Sequence, residues 1–272
     1  MTLRSLPKLD QRGFTLMEIL MVLLLLGVLS VVSLDVLSPN INETRFQATT
    51  EKMRRIQHGL VGNPNLAENN VRTSFGYLGD IGSLPTAVIG INGLITNPSL
   101  PAYSANATAR FGLGWNGPYL SGENSNAAYL VDGWGNNFVY SPAANPPTLV
   151  SLGSDAAAGG TGFAQDISVT FPTATRLATI TGFVCNTGAP FKAAAQVELN
   201  YPDGSGGLTQ SLATLAAADA GFFSFANIPF GVRSLTIYIP TKAAAANTIG
   251  PVILTVDKPN YLVPCNAIDI NP

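Results

Sequence analysis

The run Arg12-Gly13-Phe14-Thr15-Leu16-Met17-Glu18 decides how the rest of the chain is read, because a basic stretch gives way there to a long apolar one. Upstream, Arg4, Lys8 and Arg12 outweigh Asp10. Downstream, Phe14 to Leu34 is apolar apart from Thr15, Glu18, Gly27, Ser30 and Ser33. As a helix this stretch would extend about 31 Å at ~1.5 Å per residue, close to the hydrocarbon thickness of a bilayer. The pattern predicts a single membrane-crossing helix. A secretory signal peptide has the same outline of basic residues before an apolar run. Two features oppose that reading. No Ala-x-Ala-like site follows the run, which ends in Leu34-Asp35-Val36-Leu37. Glu18 also lies early in the apolar segment, where an unpaired carboxylate costs at least ~2.5 kcal/mol on insertion scales and therefore usually has a partner and a role.

These residues resemble the recognition site of bacterial type IV prepilins and type II secretion pseudopilins. The resemblance implies that a prepilin peptidase cuts after Gly13, that Phe14 becomes the N-methylated terminus and that Glu18 is the carboxylate guiding assembly with other pilin or pseudopilin subunits. Cleavage would create a positive amine beside the membrane. Glu18 of an adjacent subunit could neutralise it where the dielectric is low and such pairing is strong.

Further along, Pro39 in Leu37-Ser38-Pro39-Asn40 is expected to kink or locally melt the helix. Phe46, Thr49, Met53, Ile56 and Leu60 then recur at spacings of three and four, the period of a helix with one buried face. Glu51, Lys52, Arg54 and Arg55 should face solvent or a neighbour, and Gly59, Gly62, Asn63 and Pro64 should stop the helix. His58 falls in the last turn, where a cation suits the negative end of the helix dipole. A catalytic role would need a nucleophile or carboxylate partner that the sequence does not identify.

Apolar residues make up 46% of the chain and charged ones 11%, which excludes a disordered protein and suits a membrane or exported setting. The formal charge of −2 leaves no electrostatic footprint for nucleic acid. His58 is the only histidine, so histidine-rich metal sites are excluded. Cys185 and Cys265 have neither CxxC spacing nor histidine partners, and in an exported chain such a pair favours a disulfide over a metal site.

Downstream of the helix, Trp115-Asn116-Gly117-Pro118-Tyr119-Leu120, Asp132 to Tyr140 and Ser151 to Ile167 resemble three elements of the major pseudopilin of type II secretion. Gly133 and Asn137 replace two prolines of that pattern, and about 66–114 is longer than a compact pseudopilin needs. Asp132 to Tyr140 reads as a glycine turn entering a strand, with Thr148 to Leu152 as its partner. Asp155 and Asp166 bracket a glycine-rich loop without an EF-hand pattern. By itself this is a solvated loop with two ordinary acids. The resemblance implies calcium held by Asp155 and Asp166, with carbonyls near Leu152 and Ser154 completing an oxygen shell.

The last hundred or so residues alternate in Thr179 to Cys185 and Gln196 to Tyr201, with further strands expected at Gly221 to Phe225, Ser234 to Ile239 and Val252 to Val256. Short strands with regular turns imply a small β-sandwich. The order of its motifs resembles carboxypeptidase-regulatory-like, transthyretin-like modules. Phe222, Phe223 and Phe225 could suggest a ligand-stacking strip, but alternating aromatics on a strand more often put one face into a core.

The expected fold is α+β: a long N-terminal pilin-type helix on a small antiparallel sheet with irregular loops, followed by an all-β sandwich. The expected divisions are a leader over 1–13, a transmembrane and amphipathic helix over 14–62, a pseudopilin-like domain over 63–174 and the sandwich over 175–272. The function implied is a non-enzymatic minor pilin or pseudopilin. It would sit in the bacterial inner membrane with periplasmic domains, or in an extracellular pilus. Alternatives are a membrane-tethered periplasmic hydrolase, which lacks a G-x-S-x-G, zinc or Walker motif, and a carbohydrate- or peptide-binding adhesin module. The sequence names neither the secretion or pilus system nor the sandwich's ligand.

Overall fold

The computed structural model describes residues 15–121 and 126–271, the side chains of 29–40 excepted. The expected leader over 1–13, with Gly13, and the terminus at Phe14 lie outside the described residues. The chain divides into two units, Met1–Arg45 and Phe46–Pro272.

In the first unit, helix α1 (Leu16–Val61) begins. Its start follows from two polar residues in reciprocal bonds. The Thr15 backbone N–H and hydroxyl both donate to the Glu18 carboxylate at 2.9 Å, and the Glu18 N–H donates to the Thr15 hydroxyl at 3.3 Å. This pairing satisfies N–H groups that a helix start leaves without partners. Leu16, Met17, Leu20, Leu24 and other large apolar side chains of this stretch are exposed. Among the described residues no helix is long and apolar enough to cross a membrane. The apolar run read from the sequence starts before and continues beyond the described side chains. The backbone of α1 is helical through Pro39, so the local melting expected there is not seen. A proline removes one N–H donor from the ladder, and the bonds on either side suffice to carry the helix past it.

The second unit opens on the remainder of α1. Thr49, Met53, Ile56 and Leu60 are buried as the helical period requires, while Phe46 stays partly exposed and meets Phe163 edge-on, ring centroids 6.5 Å apart. Glu51 pairs along the exposed face with Arg54 and Arg55. Lys52 turns inward instead of facing solvent, its ammonium donating to the carbonyls of Ala128 and Val131 at 2.9 and 3.1 Å. Gly59 lies within the helix, and Gly62 ends it with φ +80°; a Cβ there would sit 2.2 Å from the Ser74 carbonyl oxygen, so only glycine fits the turn.

After the helix come a small hairpin, β1 (Ala67–Glu68) and β2 (Val71–Arg72), the short helix α2 (Gly76–Ile81), and a second hairpin, β3 (Ser104–Ala105) with β4 (Gly112–Leu113). A three-stranded antiparallel sheet follows in the order β5 (Val139–Ser141), β6 (Thr148–Ser151), β7 (Ile167–Thr170). The first pair is the one read from the sequence; the loop read over Ser151 to Ile167 ends in β7. The sheet, α1 and α2 share a core containing Met53, Ile56, Leu60, Tyr77, Leu149 and Phe171.

The remaining strands make a sandwich. They are β8 (Leu177–Phe183), β9 (Cys185–Asn186), β10 (Ala189–Pro190), β11 (Ala195–Pro202), β12 (Leu208–Leu215), β13 (Phe222–Pro229), β14 (Gly231–Ile239), β15 (Asn247–Val256) and β16 (Asn260–Val263). One sheet is ordered β12-β11-β14-β15 and is antiparallel; the other is β13-β8-β16, with β16 parallel to β8. Between them lie Ile180, Val197, Leu199, Phe223, Phe225, Leu235 and Ile237. Phe223 and Phe225 are core residues, as the alternation argued, and Phe222 is on the outer face against Phe183. Cys185 and Cys265 form a disulfide that ties β9 to the turn after β16 across 80 residues. The α+β expectation holds, with a sandwich in the C-terminal region.

The sandwich and the sheet that precedes it are not independent. Phe75, just before α2, is packed in the sandwich core. The turn after β11 also bonds to the end of α2: Gly204 N–H donates to the Ile81 carbonyl at 2.9 Å and the Ser83 hydroxyl to the Gly204 carbonyl at 3.0 Å.

Candidate functional site

Glu18, the residue expected to act in assembly, lies on the first turn of α1 with its carboxylate exposed and bonded to Thr15 within its own chain. The carboxylate is therefore accessible to a neighbouring subunit that could replace Thr15 as its partner.

The loop with the two expected calcium ligands is built on a buried carboxylate that the sequence did not single out. Asp132 accepts from the N–H groups of Trp134 and Asn136, both at 2.9 Å, and from the Ser151 hydroxyl at 2.7 Å. The Asn136 amide then donates to the Gly153 carbonyl at 2.7 Å. The glycine turn at 132–136 thus anchors the start of the loop. Its reach back to α1 is the bond from Gly133 N–H to the Thr49 hydroxyl at 2.9 Å. The signal for this role was the D-x-W-G-N pattern itself, which read only as a turn.

Within the loop, the turns at Gly153–Asp155 and Gly162–Ala164 pack on one another. A Cβ on Gly153, at φ +66°, would approach the Ala164 carbonyl to 2.8 Å, so glycine allows the fold-back. Asp155 accepts from the Ala157 N–H at 3.1 Å and is exposed. Asp166 accepts at 3.1 Å from Gly159 N–H through Oδ2, while its Oδ1 is buried with no hydrogen-bond partner. A buried carboxylate oxygen left unpaired is costly, and a hard cation would satisfy it. Among the described residues no group of three or more His, Cys, Asp and Glu side chains could hold a metal, so a cation here would depend on backbone carbonyls as well.

His58, the one histidine, is half-buried in the last turn of α1. Burial, with Arg54 next in weight, pushes its pKa down, although Glu51 opposes this. It is thus biased towards the neutral form, against the cation expected at the helix end, and the Arg54 guanidinium lies 3.4 Å from its Nδ1.

At the junction between α2 and the sandwich, Arg233 is completely buried. Its guanidinium donates to four carbonyls: Pro229 at 3.0 Å, Phe230 at 2.7 Å, Val232 at 2.8 Å and Gly79 at 3.1 Å. Burial lowers its pKa to about 9, with Asp80 opposing. Asp80 accepts from the Tyr119 hydroxyl at 3.0 Å, and burial raises its pKa to about 6.

A model of the Type II secretion system (T2SS), protein G matches residues 72–170, and one of the prokaryotic N-terminal methylation motif matches residues 8–34. No curated protein and no solved structure matches the chain. The two matches include the run from Arg12 to Glu18 and the elements at 115–120, 132–140 and 151–167, in their expected order. Over residues 8–34 and 72–170 the chain is thus similar to the type IV prepilin and pseudopilin family.

Proposed function

We propose that the protein is a low-copy, non-enzymatic pseudopilin of a type II secretion pseudopilus. The observation that carries this reading is the succession, on one chain, of the methylation motif and the protein G domain. Prepilin peptidase cuts between Gly13 and Phe14, Phe14 is N-methylated, and the apolar start of α1 holds the subunit in the inner membrane until it joins the filament. Glu18 then exchanges its bond to Thr15 for the amine of a neighbouring Phe14. Pseudopilin domains build filaments and do not catalyse reactions. The sandwich after residue 174 adds bulk that tight helical packing would not repeat easily, which supports a minor or tip position over a major one.

The loop from 153 to 166 holds a structural calcium ion in this reading. Asp155 and Asp166 supply carboxylates, carbonyls near Leu152 and Ser154 supply neutral oxygens, and the unpaired Oδ1 of Asp166 supports the fit.

The experiment is quantitative mass spectrometry of filaments isolated from the native cell, combined with secretion assays after deletion of this chain. The reading expects this protein at far below the copy number of the main subunit, and impaired export. Its absence from filaments, or equal abundance with the main subunit, overturns the proposal.

A further inference from the structure

A cavity of about 490 Å³ opens where the last turn of α1, helix α2, the β3–β4 hairpin and the sandwich meet. It falls in the size range of small-molecule sites, about 300–1,000 Å³, which concentrate at such junctions. Its polar groups converge and are held in place. The Tyr119 hydroxyl donates to Asp80 and accepts from the Asn116 N–H at 3.0 Å, so its orientation is set from both sides. The Asn116 side chain also lines the cavity. Arg110 is exposed at the rim, on a residue with φ +59° in the hairpin.

An aromatic face is presented beside these groups. Tyr103 is 44% exposed, and its ring lies directly against Gly112 of the paired strand; a Cβ on Gly112 would fall 2.1 Å from the ring. Glycine at 112 therefore leaves room for the ring where it sits.

Asp80 accepts from Tyr119 but takes no hydrogen bond from the nearest buried cation. Arg233, the nearest buried cation, directs its hydrogen bonds to carbonyl oxygens and not to this carboxylate. Among the described lining residues Asp80 is the only carboxylate, which disfavours a metal ion, and the hydroxyl, amide and guanidinium groups disfavour a purely apolar ligand. Carboxylate and amide side chains bind vicinal hydroxyl groups well, and an aromatic ring accepts the C–H face of a pyranose. We propose that the cavity is a binding site for a small saccharide, with Asp80 and Asn116 taking its hydroxyl groups and Tyr103 stacking on its apolar face.

The test is saturation-transfer NMR on the full-length protein in a zwitterionic detergent that carries no sugar headgroup, with N-acetylglucosamine, galacturonic acid and cellobiose as probes. At least one should receive saturation in a dose-dependent way. Asp80→Asn and Tyr103→Ala should each weaken that binding by about tenfold or more, the size expected for losing one good polar or stacking contact. Thermal midpoints of both variants identify any failure to fold, and Gly112→Ala, which displaces the Tyr103 ring, provides a further test if one of them does fail. Phe222→Ser, on the outer sandwich face, should leave binding unchanged. No transfer from any probe, binding undiminished in the folded cavity variants, or binding lost in Phe222→Ser overturns the proposal.

Discussion

The Arg233 guanidinium donates to the Gly79 carbonyl at 3.1 Å, joining strand β14 to helix α2 across 154 residues of sequence. A fully buried cation satisfied by carbonyls ties the sandwich to the pseudopilin-like domain, and its removal would leave those carbonyls buried without partners.

Arg233→Ala should therefore destabilise the second unit by about 3–5 kcal/mol, and Arg233→Lys should recover little, because a single ammonium cannot replace the fork of donors. Urea unfolding of the full-length protein in detergent measures this. A loss below ~1 kcal/mol for Arg233→Ala would show that the junction does not depend on the bond network.

Asp80 gives a pH dependence of determinate sign. Its pKa is raised by burial to about 6, so between roughly pH 4 and 6 the folded state holds a proton that the unfolded state has lost. By linkage, the Asp80 contribution to stability falls as pH rises through that window. Asp80→Asn removes the dependence. Relative to wild type, the variant should be more favourable at pH 7.5 than at pH 4.5, by no more than about 3 kcal/mol. Urea midpoints at the two pH values check it; an equal difference at both would place the pKa near its ordinary value.

Reduction of the Cys185–Cys265 bond should lower the stability of the sandwich. Closing a loop with a sequence separation of 80 is worth up to about 4–5 kcal/mol in the chain-entropy description. Comparing thermal midpoints of the oxidised protein and the Cys185→Ser/Cys265→Ser variant tests the contribution. Equal midpoints would mean that the bond is dispensable to the fold.

Calcium should raise the thermal midpoint and protect 153–167 from proteolysis, through preferential binding to the folded state. Asp166→Ala and Asp155→Ala should each remove both effects. If calcium titration changes neither quantity in the wild type, the loop does not hold the ion.

The periodic parts of this fold were readable because each depends on neighbours in sequence. Met53, Ile56 and Leu60 show the buried face of α1, and the alternation from Thr179 to Cys185 shows β8. β12 was missed because Leu208–Leu215 mixes small and polar residues in a strand paired only with β11. β16 was missed because four residues, pairing in parallel with a strand about eighty positions earlier, leave no local period. In the loop from 153 to 166 the two aspartates were visible, while the supporting role of Asp132 depends on Ser151 nineteen residues later. The cavity was not legible at all: Asp80, Tyr103 and Val232 meet only once the sandwich has docked.

Glu18 should be needed after processing and not for it. Glu18→Ala removes the carboxylate proposed to pair with a neighbouring amine but leaves the Gly13-Phe14 junction intact. The variant should be cleaved near wild-type levels yet be depleted from filaments. Immunoblots of precursor and filament fractions separate the two steps; normal incorporation would remove Glu18 from the assembly mechanism.

Processing at that junction tests the proposed function most directly, since methylation of Phe14 and assembly both depend on it. Intact-mass measurement of the protein purified from its native membrane, with fragmentation of the N-terminal peptide, reads the terminus itself. The account predicts a chain beginning at Phe14 with one methyl group on its α-amine. Retention of residues 1–13, or cleavage beyond the apolar run after residue 30, would contradict it.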